Sequence, residues 1–259
     1  CLATGEQYEI EYRLRHHSGE YRWTIGRANP IRNAEGEIVR WIGTCTDIDG
    51  AKRQAEKREV MSRELSHRIK NIFAVISGLI GLSARQTPEA KPFADQLRDR
   101  VLALGRAHEF ARPHSDESRM TVEASTLHGM LREMLSPYPA LDAGRIVIKG
   151  DDIPIDDRGA TPLALVYHEL ATNSAKYGAL AAPDGRIDIN SKLTGEDVLI
   201  DWIERGGAAI AGKPARSGFG TRLVEMGVVK QLNGTIDRQW NEGGLTVRVT
   251  LQPTRLVRR

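Results

Sequence analysis

The sequence predicts a multidomain chain: an antiparallel β-sheet segment, an α-helical hairpin, and then an α+β sandwich. Three observations predict it. Apolar and polar residues alternate with period two between residues 8 and 48. From residue 50 the apolar spacing becomes three and four and stays so over two long runs. Beyond residue 116, short helical and strand patterns are interleaved. The expected domains are 1–49, 50–115 and 116–259, within the one to three that 259 residues suggest.

The elements follow in order. Tyr8 to Leu14 alternates as a strand, His17-Ser18-Gly19-Glu20 turns, and Tyr21 to Ile25 is the second strand. Asn33 to Glu37 is another turn, and Ile38 to Thr44 the third strand. A meander this small is marginal alone, so the segment is expected to belong to a larger fold that opens before residue 1. Ala51 to Val60 is charged and helix-forming, and it runs without a breaker into Met61, Leu65, Ile69, Ile72, Ile76, Leu79 and Ile80. Pro88 ends that helix. A second helix spans about Pro92 to Phe110, with Phe93, Leu97, Val101, Leu104 and His108 on one face. The hairpin's apolar face must be covered, either by a second copy or by another module, so a homodimer and a monomer both remain open. Helices are expected at Ser125–Leu135, at Thr161–Tyr177 with proline in its first turn, and at Gly220–Leu232. Strands are expected at Ile146–Ile148, Ile187–Asn190, Val198–Trp202 and Leu245–Thr250. Ala208 to Ser217 has no pattern and is expected to form a lid.

Composition narrows the function classes. A net charge of +3 is too small to argue for nucleic acid or an anionic membrane. Cys1 and Cys45 have neither disulfide nor metal spacing, which points to a reducing, cytoplasmic setting. Cys45 is expected to be ordinary strand packing. The longest apolar stretch, Ile72 to Leu82, is too short to cross a bilayer, so no transmembrane segment is expected.

Three segments carry chemistry. His67 lies on the first long helix, with Asn71 four residues on along the same face and Glu64 three before. Neutral imidazole is nucleophilic at cytosolic pH, a carboxylate can orient it, and an amide one turn away can position water. Taken alone, a solvated helix histidine is the plainer account. Downstream, the helix bearing His168, Glu169, Asn173, Lys176 and Tyr177 keeps polar groups on one side and Leu163, Val166 and Leu170 on the other. Asn173 can ligate Mg²⁺ through its amide oxygen, Lys176 offers a point charge for phosphate, and Glu169 can act as a base or through a metal-bound water. Finally, Trp202-Ile203-Glu204-Arg205-Gly206-Gly207 ends a strand with a carboxylate able to accept from an exocyclic amine, beside glycines that admit close approach. Gly218-Phe219-Gly220 opens a helix whose N–H groups can meet phosphate.

Two resemblances organise these segments. Glu11-Tyr12-Arg13, Gly19-Glu20-Tyr21-Arg22-Trp23 and the Asp47-Ile48 exit resemble the C-terminal half of a PAS sensor domain, with Asp49 where threonine is usual. The PAS half that usually holds a ligand or chromophore is not in this chain, so any such group is unknown. His67, the His168–Asn173 segment and Trp202-x-Glu204, in that order, resemble the sensor histidine kinases, specifically the HWE group. The likeness implies a dimerisation and phosphoacceptor hairpin followed by a Bergerat (GHKL ATPase-type) domain. It also implies His67 as phosphoacceptor, Asn173 as Mg²⁺ ligand and Glu204 as adenine contact. Two departures from commoner histidine kinases are expected of this group: Arg68, not an acid, follows His67, and Glu204-Arg205-Gly206-Gly207 stands for the Asp-x-Gly-x-Gly box.

The resulting expectation is a sensor histidine kinase that uses ATP and Mg²⁺, phosphorylates His67 and passes the phosphoryl group to an aspartate on a response regulator receiver domain. The helix at 50–66 would carry the signal from the PAS segment. The competing class is a catalytically idle scaffold whose hairpin binds a response regulator. A Bergerat-fold serine kinase or ATPase is a further alternative, but it needs no hairpin with a His67 equivalent.

Overall fold

The computed structural model describes residues 4–111, 126–207, 212 and 218–257. The chain divides into compact units Cys1–Leu65 and Ser66–Arg259. The expected link at 112–116, the helix start at Ser125 and the expected lid, Gly212 apart, lie outside the described residues.

The first unit is an antiparallel meander, β1 (Tyr8–Arg15), β2 (Tyr21–Arg32) and β3 (Ile38–Asp47), followed by the start of helix α1 (Asp49–Gln86). The Asp-Ile-Asp exit ties helix to sheet. Asp47 Oδ1 accepts the Asp49 N–H at 2.9 Å, and Asp49 Oδ1 accepts the Trp23 N–H at 3.3 Å. The Asp49 N–H, with Arg22 beside it, holds the Asp47 carboxyl below the usual carboxylate range. Lys52 lies over the Trp23 ring, 4.0 Å from its centroid. Ile10, Leu14, Val39 and Ile42 are exposed on this sheet. Cys45 is exposed as well, not packed as expected, with its sulfur 2.8 Å from the Tyr12 hydroxyl. It sits on an open sheet face, where strand alternation turns it away from any cover.

In the second unit, α1 from Ser66 onward and α2 (Lys91–Ala111) form the hairpin. Phe73 packs on the bare Gly105 position and stands edge-on to His108, with ring centroids 6.5 Å apart, while Lys70 pairs with Glu109 at 2.7 Å. Ile72, Val75, Leu79, Leu82 and Phe93 remain exposed.

The rest of this unit is a mixed sheet with helices on one face. Its elements are α3 (Leu127–Leu135), α4 (Pro139–Asp142), β4 (Ile146–Gly150), α5 (Asp157–Tyr177), β5 (Arg186–Thr194), β6 (Asp197–Arg205), α6 (Phe219–Glu225), β7 (Thr235–Asn241) and β8 (Gly244–Leu251). The five strands run in the order β4-β5-β6-β8-β7, with β4 parallel to β5 and the other pairs antiparallel. Strand alternation puts Ile187, Ile189, Ile200, Trp202, Val247 and Val249 on the buried face. They meet Leu127, Leu131 and Leu135 of α3 and Leu163, Val166 and Tyr167 of α5 in one core. Each large side chain buried there contributes about 1.5–3 kcal/mol. The opposite face carries the exposed Arg248–Asp201 pair, two-pronged at 2.7 and 2.8 Å.

Three expectations needed correction. α5 begins at Asp157, where the Asp156 side chain caps it by accepting the Arg158 N–H at 2.8 Å; Pro162 therefore stands inside the helix, past its first turn. The capping carboxylate outweighs the one backbone bond that proline removes. The last expected helix is α6 followed by a wider π-type turn, Met226–Gln231, in which Gly227 lies against Pro162. Strand β7 went unpredicted because Arg238 interrupts its apolar alternation.

Two buried histidines are expected to make this unit acid-sensitive. His128 donates from Nε2 to Ser191 Oγ at 2.7 Å, since the serine hydroxyl donates to the Asp151 carbonyl at 2.6 Å. Burial lowers its pKa, against the partial opposition of Asp152. Burial likewise lowers that of His168. With folded values below the unfolded value of about 6.5, the unfolded chain binds more protons under that pH. Stability is then fully present above about pH 6.5 and is lost as pH falls toward the folded values. Calorimetry from pH 7.5 to 5 should show the melting temperature falling less steeply in His128→Gln than in wild type. Parallel profiles would remove His128 from the account.

Candidate active site

One face of α5 builds a cavity. Glu169, Asn173 and Tyr177 recur every four residues and so share that face. They line a cavity of about 480 Å³ together with Glu204 of β6, Gly218, Phe219 and Gly220 at the start of α6, Arg238 and Trp240 of β7, Leu245 of β8, and Gln96 and Arg100 of α2. Asn173 and Tyr177 are exposed to it, while Glu169 and Glu204 are buried in its walls.

Glu204 is held by its own strand and by the end of α5. Trp202 and Glu204, two apart on β6, point to the same side, and the indole N–H donates to Glu204 Oε1 at 3.0 Å. Glu204 Oε2 accepts from the Ser174 hydroxyl and from the Ala179 N–H, each at 2.8 Å. The tryptophan of the Trp-x-Glu motif thus orients its carboxylate, a role the sequence left open. With three donors engaged, part of the acceptor capacity of a carboxylate remains for a ligand amine. Gly178 makes the approach feasible, since a Cβ there would fall 2.1 Å from Glu204 Oε2.

Glu169 is held differently. Arg100 of α2 grips both its oxygens, Nε to Oε1 at 2.5 Å and an NH₂ group to Oε2 at 3.1 Å. The same guanidinium lies 5.0 Å from the Phe219 ring centroid. Gly220 leaves the space, because a Cβ there would sit 2.2 Å from Glu169 Oε2.

Not every expected residue meets here. Lys176 is exposed and is not among the lining residues, nor are Gly206 and Gly207. Gly206 turns the chain at φ 73°, and Gly207 backs the turn after α5, where a Cβ would reach 3.0 Å from the Ala179 nitrogen. His168 faces away from the main cavity. It is buried beside Asp99, Arg106, Tyr138 and Thr172 around a smaller cavity of about 210 Å³. His67 and Asn71 are exposed on α1 and do not line the cavity. Sequence reasoning missed Gln96, Arg100, Ser174, Arg238 and Trp240. The Asn233-Gly234 turn, with Ile236 and Trp240 an even number of residues apart beyond it, could have found the last two despite the charge between them.

Among the described residues no group of three or more His, Cys, Asp or Glu side chains could hold a metal ion alone. Glu169 and Asn173 nonetheless offer two hard oxygen donors one turn apart. That donor set suits Mg²⁺ arriving with a triphosphate, because Mg²⁺ takes one or two protein oxygens and fills its octahedron with phosphate and water.

The comparisons with known proteins agree with this picture. Residues 64–152 match the family model for HWE histidine kinases, and residues 1–45 match a PAS fold. The chain is 34% identical over 240 residues to blue-light-activated histidine kinase 1 of Erythrobacter litoralis, covering 88% of this chain and 64% of the relative. It is 30% identical over 251 residues to a blue-light-activated histidine kinase of Brucella ovis, covering 95% of this chain and 49% of the relative. It therefore spans about half to just under two thirds of the curated relatives it matches. The solved structure of the blue-light activated histidine kinase EL346 of Erythrobacter litoralis shares the fold, with a TM-score of 0.50 at 19% identity, over 98% of this chain and 77% of that one. With the three motifs in order and the PAS-type sheet ahead of them, these matches support an HWE-group sensor histidine kinase.

Proposed function

We propose that this chain binds ATP with Mg²⁺ in the α5–β6–α6 cavity, transfers the γ-phosphoryl group to His67, and passes it to an aspartate on a response regulator receiver domain. What carries the reading is one observation: Asn173, Glu204 and Gly218-Phe219-Gly220, far apart in sequence, line one cavity of nucleotide size. Glu204 accepts from the adenine amine, the glycines at the start of α6 admit the phosphates, and the Asn173 amide oxygen would hold Mg²⁺. Bound there, Mg²⁺ would neutralise phosphate charge. A nitrogen lone pair of His67 attacks the γ-phosphorus, the bond to the β,γ-bridging oxygen breaks, and ADP leaves. The chemistry asks mainly for position, so an exposed imidazole on a helix suffices as acceptor once it is in line. Asn71, one turn on, is placed to orient water toward the phosphohistidine.

By the same reading, residues 1–49 end a PAS sensor, 50–115 form the signalling helix and phosphoacceptor hairpin, and 116–259 form the ATP-binding domain. No helix among the described residues is long and apolar enough to cross a membrane. Action in the cytoplasm and pairing of two chains through the exposed hairpin face complete the proposal.

Equilibrium binding tests it against the idle scaffold. Titration calorimetry with ATP should show micromolar-to-millimolar binding that strengthens with Mg²⁺. No binding with or without Mg²⁺ would favour the scaffold.

A further inference from the structure

We propose that Arg100 is a latch on the nucleotide site: the hairpin helix α2 holds the Glu169 carboxylate in the nucleotide-free chain and must release it for Mg·ATP to bind. The proposal rests on the reading of the cavity as a Mg·ATP site.

Arg100 and Glu169 are 9% and 3% exposed, so water does little to screen their pairing. The guanidinium fork matches the carboxylate in the two-pronged geometry that makes such pairs strong and directional. Glu204 is already committed to Ser174, Ala179 and Trp202. The carboxylate and amide oxygens of α5 that line the cavity are those of Asn173, for which no hydrogen bond is described, and of Glu169, which is taken by a cation. A divalent ion entering with the triphosphate thus meets a like charge at the carboxylate. Arg100 and Mg²⁺ cannot share Glu169 at close range without mutual repulsion in a poorly hydrated wall. One of them must yield.

The consequence reaches the hairpin because of where Arg100 sits. It belongs to α2, which packs along α5, and its guanidinium also lies over Phe219, the first residue of α6. Losing the Glu169 bond removes a charged tie between the hairpin and the nucleotide domain and uncovers the start of α6. Nucleotide loading and the Arg100–Glu169 tie between hairpin and α5 therefore oppose one another. Loading frees the hairpin, and a hairpin held against α5 lowers nucleotide affinity. The coupling is reciprocal.

The test is Mg·ATP affinity by titration calorimetry on the full chain as wild type, Arg100→Met and Arg100→Lys, each repeated with EDTA. Methionine keeps the packing on Phe219 without the charge. Lysine keeps the charge without the fork, and it carries the test if the methionine variant fails to fold by its melting curve. The latch predicts tighter Mg·ATP binding in Arg100→Met, by at least about fivefold, with Arg100→Lys in between. It also predicts that the gain disappears or reverses in EDTA, where free ATP⁴⁻ profits from the arginine. Equal or weaker Mg·ATP binding in both variants overturns the latch and leaves the ATP site standing. Absence of nucleotide binding in all three chains removes the ATP site, and the latch with it.

Discussion

Glu204→Ala is expected to abolish ATP binding and to destabilise the nucleotide domain together. A contact that served only the adenine would leave the fold untouched when removed. The structure changes the expectation, because the carboxylate is 5% exposed and accepts from the Trp202 indole, the Ser174 hydroxyl and the Ala179 N–H. Truncation leaves all three donors without their acceptor in a largely buried cavity wall, and each buried donor left unpaired costs about 1–3 kcal/mol. Even one or two such losses are a large share of the stability of a domain. Chemical denaturation should show the midpoint falling sharply at an unchanged m-value. Glu204→Gln keeps an acceptor for two of the donors and should recover much of the stability but not the affinity. Wild-type stability in Glu204→Ala would mean that the three hydrogen bonds are not made in solution.

Asn173→Ala should separate binding from folding cleanly. Asn173 is exposed on the cavity face of α5, and no hydrogen bond ties its amide to the protein among those described. Alanine is a good helix former at that position, so the melting temperature should stay within a degree or two of wild type. The affinity for Mg·ATP should fall at least about 100-fold, the upper range seen when even outer partners of a metal site are removed. The loss should be far smaller for ATP in EDTA, because the amide is assigned to the metal and not to the nucleotide. An equal loss with and without Mg²⁺ would move Asn173 from metal ligand to direct phosphate or base contact.

The residues that were readable in sequence are those whose partners lie close in the chain. Glu169, Asn173 and Tyr177 share a helix, so spacing alone put them on one face. Trp202 and Glu204 share a strand, so alternation put them on one side. The order of hairpin, α5 and β6 was likewise written in periodicity that changes from two to three and four. What stayed hidden depends on packing between distant segments. Arg100 looks like one more charged residue of an amphipathic helix until α2 is seen lying against α5. Ser174 reads as a small residue on the core side until the Glu204 carboxylate arrives from a strand thirty residues later. Lys176 shows the opposite failure. It follows Asn173 by three, close enough in helical angle to suggest the same pocket, yet the cavity face runs through positions four apart and leaves the lysine in solvent. Pro162 misled the helix start because proline favours the first turn, while the Asp156 cap that set the true start had the weaker sequence signal.

The most direct measurement is autophosphorylation with γ-labelled ATP and Mg²⁺, wild type beside His67→Ala, with ATP affinity measured on both chains. His67 is exposed on α1 and outside the cavity, so its removal should leave nucleotide binding unchanged. The histidine kinase account predicts acid-labile, alkali-stable label on the wild type and none on His67→Ala. Label persisting on His67→Ala, or no label on a wild-type chain that binds Mg·ATP, would contradict it.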